Sequence, residues 1–376
     1  MTAAPDFTLG IEEEYLLVNA ETGDLAEAPD ALMDACKAEL ADQVSPEFLR
    51  CQIEVGTPVA ADITEARNQL AHLRRTISRI AGEYGLAPIS ASCHPYADWR
   101  DQEQTDKARY NELARDLAAT AQRMLICGMH VHVGLESRSM RIDLMNQLSY
   151  FLPHLLALST SSPFWQGQDS GLASYRMTVF DGMPRTGLPS KITSWDEYER
   201  SVAVLTELGI IEDASKVWWD LRPSSKFPTL ETRICDACPR LDDTIAVAAL
   251  IQATMRMLWR LSRSNARWRQ YDNFLLGENR WRAIRYGITE GMIDFGAHEI
   301  VPFEKLAEEW QGLIAPDVEA LGSGAALQSL NRIVSGGTSA ERQRRCFQDR
   351  KAEGASDDEA LRAVVSSLIE EFREGL

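Results

Sequence analysis

Four short segments of this chain alternate chemically active side chains with apolar ones, and that alternation commits all four to strands. They are Gly10-Ile11-Glu12-Glu13-Glu14-Tyr15-Leu16-Leu17-Val18, Cys51-Gln52-Ile53-Glu54-Val55, Gly128-Met129-His130-Val131-His132-Val133-Gly134 and Leu230-Glu231-Thr232-Arg233-Ile234. Residues two apart on a strand share a face. Glu12 and Glu14 therefore point one way with Ile11 and Tyr15 behind them. His130 and His132 alternate with Met129, Val131 and Val133, and Glu231 pairs with Arg233 across Thr232. Such a wall of carboxylates, imidazoles and guanidinium is costly to bury unless metal ions and anions neutralise it. The pattern reads as a metal–phosphate active site on a sheet.

The net charge is −17, from 39 Lys+Arg against 56 Asp+Glu. That balance disfavours nucleic acid and anionic membrane as main partners, since both need a basic footprint. A small anionic substrate remains compatible, because a local cation cluster or a metal reverses the field at one site. Seven scattered cysteines suit a reducing cytoplasm, and the lone Cys235-Asp236-Ala237-Cys238 lacks the second pair of a zinc knuckle. Met1–Asp6 lacks the basic and apolar regions of a signal peptide. The least charged stretch, Leu148–Trp165, carries Pro153, His154 and serines, and reads as a buried helix, not a membrane span.

Along the chain, a strand over 7–19 precedes a short helix over 31–39 and the Glu54 strand. A long amphipathic helix is expected over 63–84, a short strand over 88–92, and helices over 104–124 and 141–158 flank the histidine strand. Residues 161–190 are rich in Gly, Pro, Ser and Asp, the composition of a long structured loop that closes over or binds substrate. Strands are expected over 217–221 and 229–236, then a helix from Asp242 to about Leu275 and a mostly helical remainder. Strands and helices do not alternate regularly. The expected class is α+β, one largely antiparallel sheet with helices outside it, and a single domain over residues 1–376.

Carboxylates with an imidazole are hard donors that favour Mg²⁺ or Mn²⁺ over zinc. Taken singly, the glutamate triplet also fits a solvated edge strand, and the histidines a hydrogen-bonded pair; the recurrence over four segments favours a site. Walker A, G-x-G-x-x-G and G-x-S-x-G sequences are absent. Together with Asn279-Arg280-Trp281-Arg282-Ala283-Ile284-Arg285-Tyr286-Gly287, the four segments resemble the bacterial type 2 glutamate–cysteine ligase family, carboxylate–amine ligases of the YbdK type. The resemblance spans nearly the whole chain. It implies a glutamine-synthetase-like catalytic fold whose curved antiparallel sheet forms a funnel for ATP, Mg²⁺ or Mn²⁺ and an amino acid. It implies ATP-dependent joining of the glutamate γ-carboxyl to the amine of cysteine or another amine, often weakly with cysteine.

By that resemblance Glu12, Glu14, Glu54 and Glu231 match metal-binding glutamates, and Glu47 a further acidic ligand. His130 matches a histidine that closes the site on metal or phosphate, with His132 beside the nucleotide. Arg233 matches the arginine facing the transferred phosphoryl group, and Arg176 the arginine for a substrate carboxylate. Glu54, His130 and Arg233 are the expected catalytic set. Arg282 and Arg285 divide evenly between anion binding and surface salt bridges. Gly336-Gly337-Thr338-Ser339 could cradle an anion or simply cap a helix. A phosphotransferase of the same broad fold, such as a guanidino kinase, and a non-catalytic ATP- or metal-binding relative are the other readings. The sequence leaves a homo-oligomer open.

Overall fold

The computed structural model describes residues 4–376, the side chains of Arg109, Leu113, Ala114 and Asp116 excepted. Its centre is a seven-stranded antiparallel sheet built around β1 (Leu9–Asn19). β2 (Val44–Pro46) and β3 (Gln52–Gly56) lie on one side of β1, and β4 (Leu86–Ile89) pairs with its far half. β5 (Met129–Gly134) lies on the other side. Beyond the small hairpin of β6 (Phe164–Trp165) and β7 (Gln168–Asp169), the chain returns as β8 (Leu221–Pro223) and β9 (Thr229–Thr232), and β9 pairs with β5. The α+β architecture expected from the sequence is the one found.

Register fixes what each face carries. Glu12 lies opposite His130, Glu14 opposite Glu54, His132 opposite Glu231, and Glu231 opposite Arg222. Side chains directly opposite share a face, so the four segments do form one polar wall. The reverse face carries Leu9, Ile11, Ile53, Val55, Met129, Val131, Val133 and Leu230, all buried beneath the helices Ile63–Glu83, Arg138–Leu148 and Leu241–Arg263. Each such side chain contributes about 1.5–3 kcal/mol by leaving water. A one-residue slip would exchange the two faces, so burial locks the polar wall in place.

Glu13 belongs to that reverse face and is wholly buried. Arg74 reaches it from the helix Ile63–Glu83 through Nε (2.9 Å to Oε2) and Nη2 (2.5 Å to Oε1). Tyr15 Oη and Thr244 Oγ1 donate to the same carboxylate, and the carbonyls of Cys238 and Pro239 take other Arg74 protons. Every partner in this buried ion pair is satisfied, which is the condition for tolerating it. The pair pins that helix, β1 and the start of the helix Leu241–Arg263 to one another.

Several boundaries differ from expectation for physical reasons. The helix expected over 141–158 is two helices, Arg138–Leu148 and Leu152–Ser159, because Pro153 is accepted only in a first turn. The one expected to reach Leu275 stops at Arg263 and resumes as Asn273–Tyr286, with the Asp272 side chain capping the new start. The strand expected over 217–221 begins only at Leu221, since Ala214–Lys216 forms a helical turn before it. Gly337 precedes a capping box in which Thr338 and Glu341 satisfy each other, so the segment from Gly336 to Ser339 is a cap and not an anion cradle. Among the described residues no helix is long and apolar enough to cross a membrane.

Candidate active site

The polar wall floors a cavity of about 250 Å³. Glu12, Glu14, Glu47, Glu54, His130, His132, Arg176, Glu231 and Arg233 all line it. Nine of the eleven side chains singled out in the sequence thus meet at one place. Arg282 and Arg285 do not. They stand on the helix Asn273–Tyr286 and donate to backbone carbonyls, Arg282 to Gly291 (3.1 Å) and Glu290, and Arg285 to Gly171. Among the described residues neither forms a salt bridge, and neither lines this cavity.

The potential metal donors divide into two sets. Glu12, His132 and Glu231 bring one atom each within 4.8 Å of one another, and so do Glu14, Glu47 and Glu54. His132, not His130, completes the first set, because its register places it opposite Glu231. His132 Nδ1 is held by Thr229 Oγ1 at 2.9 Å, whereas Nε2 is buried without a hydrogen-bond partner, 3.3 Å from Glu12 Oε1. A buried imidazole nitrogen aimed between two carboxylates, with its other nitrogen fixed, is the arrangement of a metal-binding histidine. His130 instead holds Glu12 through Nδ1 at 3.1 Å. It lines the same cavity, directly beside the first donor set.

Electrostatics separates the sets further. Burial alone would raise Glu12, yet His130 and His132 beside it hold it far below the usual carboxylate range. Burial, with Arg233 beside it, lowers His130 to about 4, so it faces Glu12 as a neutral donor. Burial likewise opposes ionisation of Glu231, but Arg233 and Arg222 keep it ionised. The second set behaves oppositely. Burial and the neighbouring Glu54 push Glu14 up to about 7, and burial, Glu47 and Glu12 push Glu54 up to about 8. Crowded carboxylates with raised affinity for protons are a site a divalent cation would relieve. The oxygen-rich donors with one imidazole fit Mg²⁺ or Mn²⁺.

Three features of the arginines were not read from the sequence. Arg222 grips Glu231 through Nε (2.9 Å) and Nη2 (3.2 Å), and donates from Nη1 to the carbonyls of Ser215 (2.8 Å) and Val217 (2.6 Å). Its position opposite Glu231 followed from hairpin register, but the turn Ser224–Pro228 lacks a glycine signal. Arg233 also bonds Glu231 through Nη1, while its Nε is buried and unpartnered. Arg176 is almost fully buried and donates to the carbonyls of Arg233 and Ile234, both at 3.2 Å, with Asp236 3.8 Å away. Asp236 in turn accepts from Ser161 N (2.9 Å), Ser162 Oγ (2.9 Å) and Ser174 Oγ (2.8 Å). Residues 161–190 are therefore a tied wall carrying Arg176.

Arg280 supplies a longer-range brace. It bonds Asp220 from Nε at 2.7 Å and Asp181 from Nη1 at 2.6 Å and Nη2 at 2.7 Å. Asp181 follows the helix Arg176–Phe180, and the Asp220 carbonyl accepts from the amides of Arg233 (2.8 Å) and Ile234 (3.2 Å). One guanidinium thus joins the segments that carry Arg176 and Arg233. Cys235 and Cys238 are buried, and burial pushes both thiols up, Cys235 to about 12. They join neither donor set.

The family described as Glutamate-cysteine ligase family 2 (GCS2) matches residues 8–367. A Paracoccus denitrificans protein named "Putative glutamate--cysteine ligase 2" is 66% identical over 376 residues, covering 100% of both chains. A Jannaschia protein of the same name is 60% identical over 366 residues, covering 97% of each. Among solved structures, a bifunctional glutathione synthetase from Pasteurella multocida aligns with TM-score 0.70 and 15% identity, covering 98% of this chain and 52% of that one. A glutamate–cysteine ligase from Francisella tularensis, solved in complex with AMP, aligns with TM-score 0.68 and 14% identity, covering 99% and 90%. At that identity the two structures establish a shared fold.

Proposed function

The chain belongs to glutamate–cysteine ligase family 2, and from that premise we propose that it is an ATP-dependent carboxylate–amine ligase, acting as one catalytic unit. It activates the γ-carboxyl of glutamate as an acyl phosphate and transfers the acyl group to an amine, cysteine being the one its relatives' names carry. The observation that supports this most is the pairing of two acidic donor sets with Arg233 in a single cavity. Nucleotide use is supported by the AMP bound to the Francisella protein of the same fold.

A carboxylate is a poor electrophile, so its oxygen must first attack the terminal phosphorus of ATP, with ADP leaving. Glu12, His132 and Glu231, and Glu14, Glu47 and Glu54, would hold Mg²⁺ or Mn²⁺. Such ions supply charge neutralisation on the phosphate oxygens. Arg233, fixed by Glu231 and by the Asp220 carbonyl, offers its remaining donors to the phosphoryl group in flight. Arg176 receives the carboxylate that does not react. The amine nitrogen then attacks the acyl carbon, phosphate leaves, and the amine gives up a proton.

The test is ADP and phosphate release in a screen of acids and amines, with the product mass measured. Release requiring acid, amine and divalent metal together supports the ligase. ADP without free phosphate would mean a phosphotransferase, and nucleotide binding without turnover a non-catalytic relative.

A further inference from the structure

Lys216 lines the cavity and takes no part in the steps above. It ends the helical turn Ala214–Lys216, whose start is capped by the Asp213 side chain, 2.6 Å from the Ser215 amide. Two guanidiniums then fix the backbone around it. Arg222 Nη1 donates to the carbonyls on either side, Ser215 at 2.8 Å and Val217 at 2.6 Å. Arg185 Nε donates to the Lys216 carbonyl at 2.9 Å, and the Arg185 carbonyl accepts from the Trp218 amide at 3.0 Å. The Lys216 side chain is 9% exposed, yet among the described residues its ammonium makes no hydrogen bond. Its ion partner there is Glu212 at 3.9 Å, itself 59% exposed, a water-screened pair that contributes little. A fixed backbone, a buried stem and an uncommitted ammonium make a binding group that an anion would complete.

The guanidinium that fixes Lys216 also fixes Glu231. Arg222 turns Nε and Nη2 to that carboxylate, at 2.9 and 3.2 Å, while Nη1 holds the carbonyls beside Lys216. Arg233 bonds the same glutamate. Lys216 is thus tied through one side chain to the carboxylate that holds Arg233, the group proposed to meet the phosphoryl in flight. The anion that continues from that phosphoryl is the rest of the nucleotide's phosphate chain. An ammonium suits it, being a point charge with rotatable donors, whereas a carboxylate is matched by the planar fork of an arginine such as Arg176. Resting on the ligase reading above, we propose that Lys216 binds the non-transferred phosphates of the nucleotide, with Arg222 as its positioning residue.

Lys216→Met removes the charge and keeps the stem. MgADP and adenosine affinities, measured by competition against turnover, separate a phosphate contact from a structural role. MgADP should bind at least ~tenfold more weakly, the scale of losing one hydrogen bond to a charged group, with adenosine and the glutamate KM little changed. Lys216→Arg should recover most of the MgADP affinity. Glu212→Gln gives a second reading independent of how the first variant folds. It frees the ammonium, so MgADP should bind as well or better, and a tenfold loss there would overturn the assignment. So would an unchanged MgADP affinity in Lys216→Met, a rise in the glutamate KM in its place, or equal losses for MgADP and adenosine with a lower melting temperature. An unaltered protein that binds neither MgATP nor MgADP overturns the ligase reading itself.

Discussion

Arg176 lies flat against the bare Cα of Gly128. A Cβ there would sit 2.5 Å from Nη2 and 3.0 Å from Cζ, closer than such atoms approach. The amide of the same glycine donates to Glu14 Oε2 at 2.7 Å. Gly128 therefore serves both a carboxylate proposed to hold metal and the proposed carboxylate-binding arginine, and its value lies in close approach and not in backbone freedom.

Gly128→Ala should displace the Arg176 guanidinium while keeping the amide bond to Glu14. The KM for glutamate should rise by about tenfold or more, with ATP affinity little changed, and overpacking should cost about 1–3 kcal/mol of stability. Steady-state kinetics with a thermal melt reads all three. An unchanged glutamate KM in the folded variant would remove Arg176 from substrate binding.

Metal binding should be pH-dependent in a definite direction. Glu14 rises to about 7 and Glu54 to about 8 from an ordinary 4.5. Between that value and 7–8 the metal-free folded state holds protons that the unfolded chain has released. The stability of the metal-free protein therefore falls as pH rises through this window. A cation must displace the same protons, so Mn²⁺ affinity should climb from pH 6 to pH 8 with proton release on binding. Titration calorimetry in buffers of different ionisation enthalpy measures this, and a flat affinity would contradict the assignment of the second set.

Arg280 separates brace from bystander on its helix. Arg280→Met leaves Asp220 fully buried without its cation, a loss of about 3–5 kcal/mol. Burial already raises the Asp220 carboxyl and Arg280 opposes that rise. Without the arginine it should rise further, so the variant's deficit should shrink as pH falls and Asp220 becomes neutral. Arg282→Met should cost little by comparison. Melting temperatures across pH 4.5–8 decide the matter.

Glu13 tests how far the strand reading goes. Alternation alone put Glu12 and Glu14 on the site face, and the structure gives their neighbour a different task. Glu13→Ala should destabilise by about 3–5 kcal/mol through the orphaned Arg74, while the folded fraction keeps its metal affinity. Glu14→Ala should do the reverse, and a loss of metal affinity from both would show that the faces are not independent.

These contrasts mark where the sequence was legible. Period-two spacing is a local property, so the wall of Glu12, Glu14, Glu54, His130, His132 and Glu231 could be read before any fold was known. Partners set by long-range packing could not. Arg74 meets Glu13 across 61 positions and Arg280 meets Asp181 across 99, and nothing local marks either. Register, not spacing, decides that His132 faces Glu231 and His130 faces Glu12. Arg280 reaches Asp220 and Asp181 while Arg282 and Arg285 meet backbone carbonyls, because a motif identifies a segment and helix phase decides which of its arginines turns inward.

Arg233 carries the sharpest expectation. Its Nη1 is committed to Glu231, but Nε is buried with no acceptor, on a cavity wall shared with Glu12 and Glu14. A buried donor left unmatched is costly unless a ligand completes it, and a phosphoryl oxygen would. Lysine keeps the charge but has no Nε–H and no planar fork. Arg233→Lys should therefore retain the fold and most of the ATP affinity, and lower kcat by roughly 10²-fold, as loss of one preorganised transition-state donor does. If Arg233 served only to neutralise Glu231, lysine would do as well, because Arg222 already holds that carboxylate from the other side. In that case kcat would stay near wild type and any loss would track the melting temperature. A stable Arg233→Lys protein with wild-type kcat would end the catalytic assignment.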